Sequence, residues 1–170
     1  MSLIAIGVSS AHAAPHIHGE GKLQILQAGN DWQLVLQLPA ADVLGFEHTP
    51  TTDDEIRRYE NTQDTFLRFN DIFTLSSVCE LLDTTLEIPW KVGVAHDEYE
   101  SEYNRDAHRN SHTDFRVAYL LSCHGPLKSI EMTGFTHWPS LRHINAIWVT
   151  SRGQGAQDIT PKQPTLQISS

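Results

Sequence analysis

The chain has 170 residues, 39% of them hydrophobic and 19% charged, with 21 Asp and Glu against 12 Lys and Arg and a formal charge of -9. That size suits one globular domain able to bury about 70% of the surface its unfolded form exposes, which argues against general disorder. The acidic balance offers no footprint for a polyanion, so nucleic-acid binding is set aside.

In chain order, Leu3-Ile4-Ala5-Ile6-Gly7-Val8 is a short apolar run followed by Ala11-His12-Ala13, the small-x-small pattern of a cleaved export signal, although no Lys or Arg precedes it. Residues 1–13 therefore read as a signal peptide and 14–170 as a single domain. No apolar run approaches the roughly 20 residues that span a bilayer, so a membrane-spanning protein is not expected. Residues 22–27 and 32–38 alternate around Ala28-Gly29-Asn30-Asp31, which predicts a β-hairpin with Trp32, Leu34, Leu36 and Leu38 on one face and Pro39 closing the second strand. Thr52 with Glu55 three residues on is a capping-box pattern, and Ile56, Tyr59, Phe66 and Leu67 extend a helical stripe to about Phe69. Residues 73–82, 86–94, 115–123, 129–135 and 144–150 read as strands, with Gly153-Gln154-Gly155 as a turn toward a last short strand near Leu166 and Ile168. The fold class is thus α+β: mainly antiparallel sheet, one principal helix, and a His/acid-rich surface loop at 95–112.

Ten histidines in so short a chain are the compositional oddity, because neutral imidazole is the commonest metal ligand. His16-Ile17-His18 sets two rings at i and i+2, which an extended backbone turns to one side, with Gly19 and Gly21 leaving room beside them. His112-Thr113-Asp114 repeats that spacing at the start of a strand whose apolar residues, Phe115, Val117 and Tyr119, face the other way. Glu47 and His48 form a third donor set in Gly45-Phe46-Glu47-His48-Thr49-Pro50. The loop adds His96 and His108 among Asp97, Glu98, Glu100, Glu102 and Asp106. An acidic run alone is a solvated face, but imidazoles among carboxylates supply the donors that suit zinc. His124, His137 and His143 sit at strand-turn junctions and read as structural. Cys79 and Cys123 are the two thiols. In an oxidising compartment they would pair and close a loop worth about 4 kcal/mol, and in a reducing one they would be buried free thiols.

Taken in order, His16-x-His18-Gly19, Gly45-Phe46-Glu47-His48-x-Pro50, Cys79, the His/acid loop, His112-x-Asp114, Tyr119-x-x-x-Cys123 and Phe135-x-x-Trp138-Pro139-x-Leu141 resemble the periplasmic zinc-uptake accessory proteins of ZrgA type. The resemblance spans essentially all of 14–170. It implies a periplasmic protein of Gram-negative bacteria that binds zinc when zinc is scarce and helps supply it to an importer, whose periplasmic component would be its partner. Compared with such proteins the loop is short of histidine and diluted by Arg105 and Arg109, which implies a smaller zinc capacity. His-Glu-x-x-His, Gly-x-Ser-x-Gly and a phosphate-cradling glycine loop are all absent, so a binding protein is expected rather than an enzyme. The alternatives are a metal-dependent hydrolase using Glu47 as base, or a structural domain that needs no zinc.

Overall fold

Strands β1 (Glu20–Ala28) and β2 (Asp31–Pro39) close on the Gly29-Asn30 turn, with Leu23 opposite Leu36 and Ile25 opposite Leu34. Gly29 takes φ +66°, a left-handed conformation that a side chain disfavours. The protein is described by a computed structural model over residues 18–90 and 114–168. After β2 come three helices, α1 (Ala40–Leu44), α2 (Asp53–Leu67) and α3 (Phe69–Ile72), then β3 (Phe73–Leu75) and β4 (Cys79–Glu87). β5 (Asp114–Cys123), β6 (Ser129–Met132), a 3₁₀ turn at Thr133–Thr136, β7 (His143–Thr150), β8 (Gly153–Ile159) and β9 (Thr165–Gln167) complete the described chain.

The strands form a six-stranded sheet, β4-β5-β2-β1-β7-β8, and a three-stranded sheet, β3-β6-β9. β1 and β7 run parallel, whereas the other pairings are antiparallel. The α+β architecture with one principal helix agrees with the sequence reading.

One face of the large sheet is the core. Trp32, Leu34, Leu36 and Leu38 of β2 lie in register with Leu121, Tyr119, Val117 and Phe115 of β5, and all eight are buried. α2 begins at the expected capping box and lays Tyr59, Thr62 and Phe66, one helical stripe, onto that face. The ring centroids of Phe66 lie 5.2 Å from Phe115 and 4.9 Å from Trp138. A buried phenol needs a partner, and the Tyr119 hydroxyl donates to the Phe66 carbonyl, while burial raises its pKa far above the usual tyrosine range.

Four sequence expectations change. The strand expected at 129–135 ends at Met132, where the 3₁₀ turn at Thr133–Thr136 takes over. The stretch 73–82 is not one strand: β3 belongs to the small sheet, and Ser76, Ser77 and Val78 separate it from β4. The separate strand expected at 86–94 is instead the end of β4, which stops at Glu87, and residues 91–113 lie outside the described part. Gly153-Gln154-Gly155 is not a turn but the start of β8. A Cβ on Gly155 would lie 2.2 Å from the Trp148 indole, so this glycine serves cross-strand packing.

Cys79 and Cys123 are register partners on β4 and β5 and form a disulfide across 44 residues of sequence. Replacing both with Ala is expected to lower the unfolding free energy in a urea titration by about 4 kcal/mol, the loop-closure value for that separation. A loss below about 1 kcal/mol would show that the crosslink does little to restrain the unfolded chain.

Candidate metal centre

Strand order gathers several candidate donors at one end of the large sheet. Because β2 runs antiparallel to both β1 and β5, its last residue, Pro39, lies opposite Asp114, and the starts of β1 and β5 flank it. β7, parallel to β1, brings its first residue, His143, opposite Glu20. Pro39 ends the ladder and caps α1, and Gly45, at φ +85°, closes α1 and turns the chain into Phe46-Glu47-His48.

The element that joins these pieces is a carboxylate the sequence reading passed over. Asp42, buried on α1 at 7% exposure, accepts a 2.8 Å hydrogen bond from the Gly19 N–H. The Gly19 carbonyl in turn accepts from the N–H groups of Arg142 and His143, at 2.9 and 3.1 Å. One glycine is therefore bonded both to α1 and to the start of β7. Burial raises the Asp42 pKa. The Gly19 N–H, His18 and Arg142 pull it down and Glu47 pushes it up, without reversing the net rise. His18, Asp42 and Glu47 thus share one electrostatic neighbourhood.

Within it, His18 Nδ1 lies 4.0 Å from Glu47 Oε1, and both side chains are well exposed. Two ligands on a tetrahedral zinc with bonds near 2.0 Å sit about 3.3 Å apart, so a small side-chain movement lets this pair share one ion. Gly19 and Gly21 do not provide space for that ion, contrary to expectation. Gly19 is needed for its φ of +85°, and a Cβ on Gly21 would lie 2.5 Å from the Leu38 side chain in the core.

Glu47 and His48, read as one donor set, diverge. Glu47 approaches His18, whereas the His48 ring stacks on Phe46 at 5.0 Å and its Nε2 lies 3.6 Å from Glu55 Oε1. Phe46 stacks in turn on Trp90, whose carbonyl accepts from the Tyr59 hydroxyl. Glu55, read from the sequence as a helix cap, accepts the N–H groups of Thr51 and Thr52, and these two hydrogen bonds bring its pKa down to about 2.

Asp114, the first residue of β5, is buried, and its Oδ2 accepts a 2.5 Å hydrogen bond from Gln37 Nε2. His16, His96, His108 and His112 lie outside the described residues. Of the histidines read as structural, His143 Nε2 lies 3.3 Å from Glu20 Oε1, and His137 meets Trp138 edge-on. Among the described residues no group of three or more His, Cys, Asp or Glu is close enough to hold an ion. The described donors come as pairs. The signal for Glu55 was present in its capping spacing, whereas Asp42, in Ala40-Ala41-Asp42-Val43-Leu44, has no local pattern that marks it.

A family model described as ZrgA family zinc uptake protein matches residues 15–168. No curated protein matches the chain.

Because the folded-state pKa of Asp42 is raised, its contribution to stability is complete when the carboxyl is protonated and is lost as pH rises through the folded value. An Asn at position 42 retains an oxygen for the Gly19 N–H without a buried charge. Asp42→Asn is therefore expected to unfold at neutral pH at a denaturant concentration no lower than wild type, with any gain disappearing as pH falls through the carboxyl range. A large loss at neutral pH that persists in acid would show that Asp42 is held by something other than this bond.

Proposed function

The chain belongs to the ZrgA family of zinc uptake proteins, and from that premise we propose that it is an exported periplasmic protein that captures zinc when zinc is limiting and passes it toward an importer. The observation that carries this reading is the Asp42–Gly19 bond, which holds His18 beside Glu47 at the end of the sheet where β5 begins at Asp114. His16 precedes His18 by two residues and His112 precedes Asp114 by two. Chain covalency, at no more than about 3.6 Å per residue, lets both histidines reach that end. The proposed ligands are His16, His18, Glu47, His48, His112 and Asp114, with His96 and His108 adding weaker capture.

Export is supported by the Cys79–Cys123 disulfide, a crosslink typical of oxidising compartments, and by the signal pattern at 1–13. No helix among the described residues is long and apolar enough to cross a membrane. Zinc is cargo here. A carrier needs neutral imidazoles and carboxylates that close on the ion and release it, and it needs no base poised against a second substrate. The acidic surface favours cation approach, and high salt should weaken that contribution alone.

Zinc titration of the protein against a His16→Ala/His18→Ala/His112→Ala variant tests the reading. Wild type is expected to bind zinc without hydrolysing esters or phosphoesters, and the variant to bind at least about tenfold more weakly. Wild-type affinity should decline as pH falls through about 6.5, because a protonated imidazole cannot ligate. Equal binding by the two proteins, or undiminished affinity at pH 5, would contradict imidazole ligation at this end of the sheet.

A further inference from the structure

We propose that the open edge of β4 and the apolar groove beside it form a docking surface for a partner protein, bound as an extended segment in which apolar residues alternate with Lys or Arg. This goes beyond the zinc reading and does not depend on it. β4 ends the large sheet and, among the described residues, pairs with β5 alone. Its outer side therefore offers main-chain N–H and C=O groups to a strand laid alongside, the mode of binding in which an extended peptide continues a sheet.

The two faces of β4 dictate what such a segment carries. On the core side, Leu81 lies opposite Leu121, and the start of β4 borders a groove of about 750 Å³ that reaches to β3 and the end of α2. Phe69, Phe73 and Leu121 are its buried floor, while Leu67, Val78 and Leu81 along its walls are 49, 77 and 41% exposed. Aliphatic side chains left in water around one groove gain from being covered by an apolar partner. On the opposite face, Glu80 lies beside Ser122, Asp83 beside Leu120 and Glu87 beside Arg116. Arg116 meets Glu87 at 2.7 Å, whereas Glu80 and Asp83 are exposed and have no cationic partner among the described residues. Side chains alternate along a strand, so a segment joined to β4 sends every second one toward the groove and the others beside this acidic row. Apolar residues suit the first set of positions, and Lys or Arg the second.

The same acids disfavour a second copy as the occupant. Edge-to-edge pairing of two β4 strands would set one acidic row beside another, and like charges side by side on a sheet are destabilising. The ladder between β4 and β5 is irregular between Leu81 and Asp83, a bulge of the kind that discourages unselective pairing along an edge. The regular stretch beyond it, from Asp83 to Glu87, together with Leu81 and the groove, accommodates a segment of about seven residues. Arg68, a cation at the rim of the groove, is held by Asp71 at 2.6 Å and so does not oppose a basic segment.

The probe is the synthetic peptide Lys-Val-Lys-Phe-Lys-Val-Lys, capped at both ends and titrated into the isotope-labelled protein while backbone amides are followed by NMR. Wild type is expected to show amide shifts concentrated in β4. It should bind the peptide at least about tenfold more tightly than the fully N-methylated form, which keeps charge and side chains but has no main-chain N–H to donate. Leu67→Asp/Leu81→Asp spoils the apolar walls and Glu80→Lys/Asp83→Lys reverses the acidic row, and each should weaken binding at least about tenfold. Far-UV circular dichroism and urea unfolding check the fold of both, and if the first is unfolded the second, confined to exposed charges, decides. No shift in β4, equal binding of the N-methylated peptide, or undiminished binding by a folded variant overturns the proposal. A wild-type dimer in gel filtration that Leu81→Asp dissociates also overturns it, because the edge then belongs to a second copy. None of these results bears on zinc binding.

Discussion

A single buried hydrogen bond, from the Gly19 N–H to Asp42, sets where His18 meets the rest of the molecule. Burying a carboxylate is unfavourable, and the rise in its pKa records that cost. The bond returns part of it and, with the Gly19 carbonyl bonded to Arg142 and His143, ties the approach to β1 both to α1 and to β7. Without this junction His18 would precede a strand with nothing to hold it beside Glu47. Pro39 and Gly45 complete the geometry by starting and ending α1 within five residues, which keeps Asp42 directly above the start of β1.

The disulfide and the proposed metal-binding end lie at opposite ends of the large sheet. The disulfide joins the start of β4 to the end of β5, while the proposed donors gather where β5 begins. β5 has ten residues, so the two ends lie about 30 Å apart at the rise of an extended strand. The sulfurs are locked in a crosslink at the far end, so the proposed ligands at the near end are nitrogen and oxygen donors alone. Between them the Phe66, Phe115 and Trp138 rings fix α2 on the sheet. This places the Thr52 capping box, and with it Glu55, next to the segment that carries His48.

Much of the fold is legible in the sequence because its signals are local. The hairpin, the capped helix, the alternation of β5 and the end of β2 at Pro39 each depend on residues within a few positions of one another. β8 was misread because glycine marks both turns and close approach, and the Trp148 indole that requires Gly155 is visible only once β7 and β8 are paired. The donors were legible as residue types but not as groupings. Adjacency in sequence suggested that Glu47 and His48 act together, whereas the chain's path after Gly45 sends them to different neighbours. Asp42 left no local trace, since its role arises from a contact across 23 positions of sequence. The family, by contrast, was recognisable from the order of motifs along the whole chain, which survives without knowledge of strand order.

The most direct measurement is a crystal structure of the zinc-loaded protein with anomalous data collected on both sides of the zinc absorption edge. The account predicts an anomalous peak at the end of the large sheet where β1 and β5 begin, within bonding distance of the His18 ring. Zinc located only at the disulfide end, or bound nowhere but between molecules in the lattice, would contradict it.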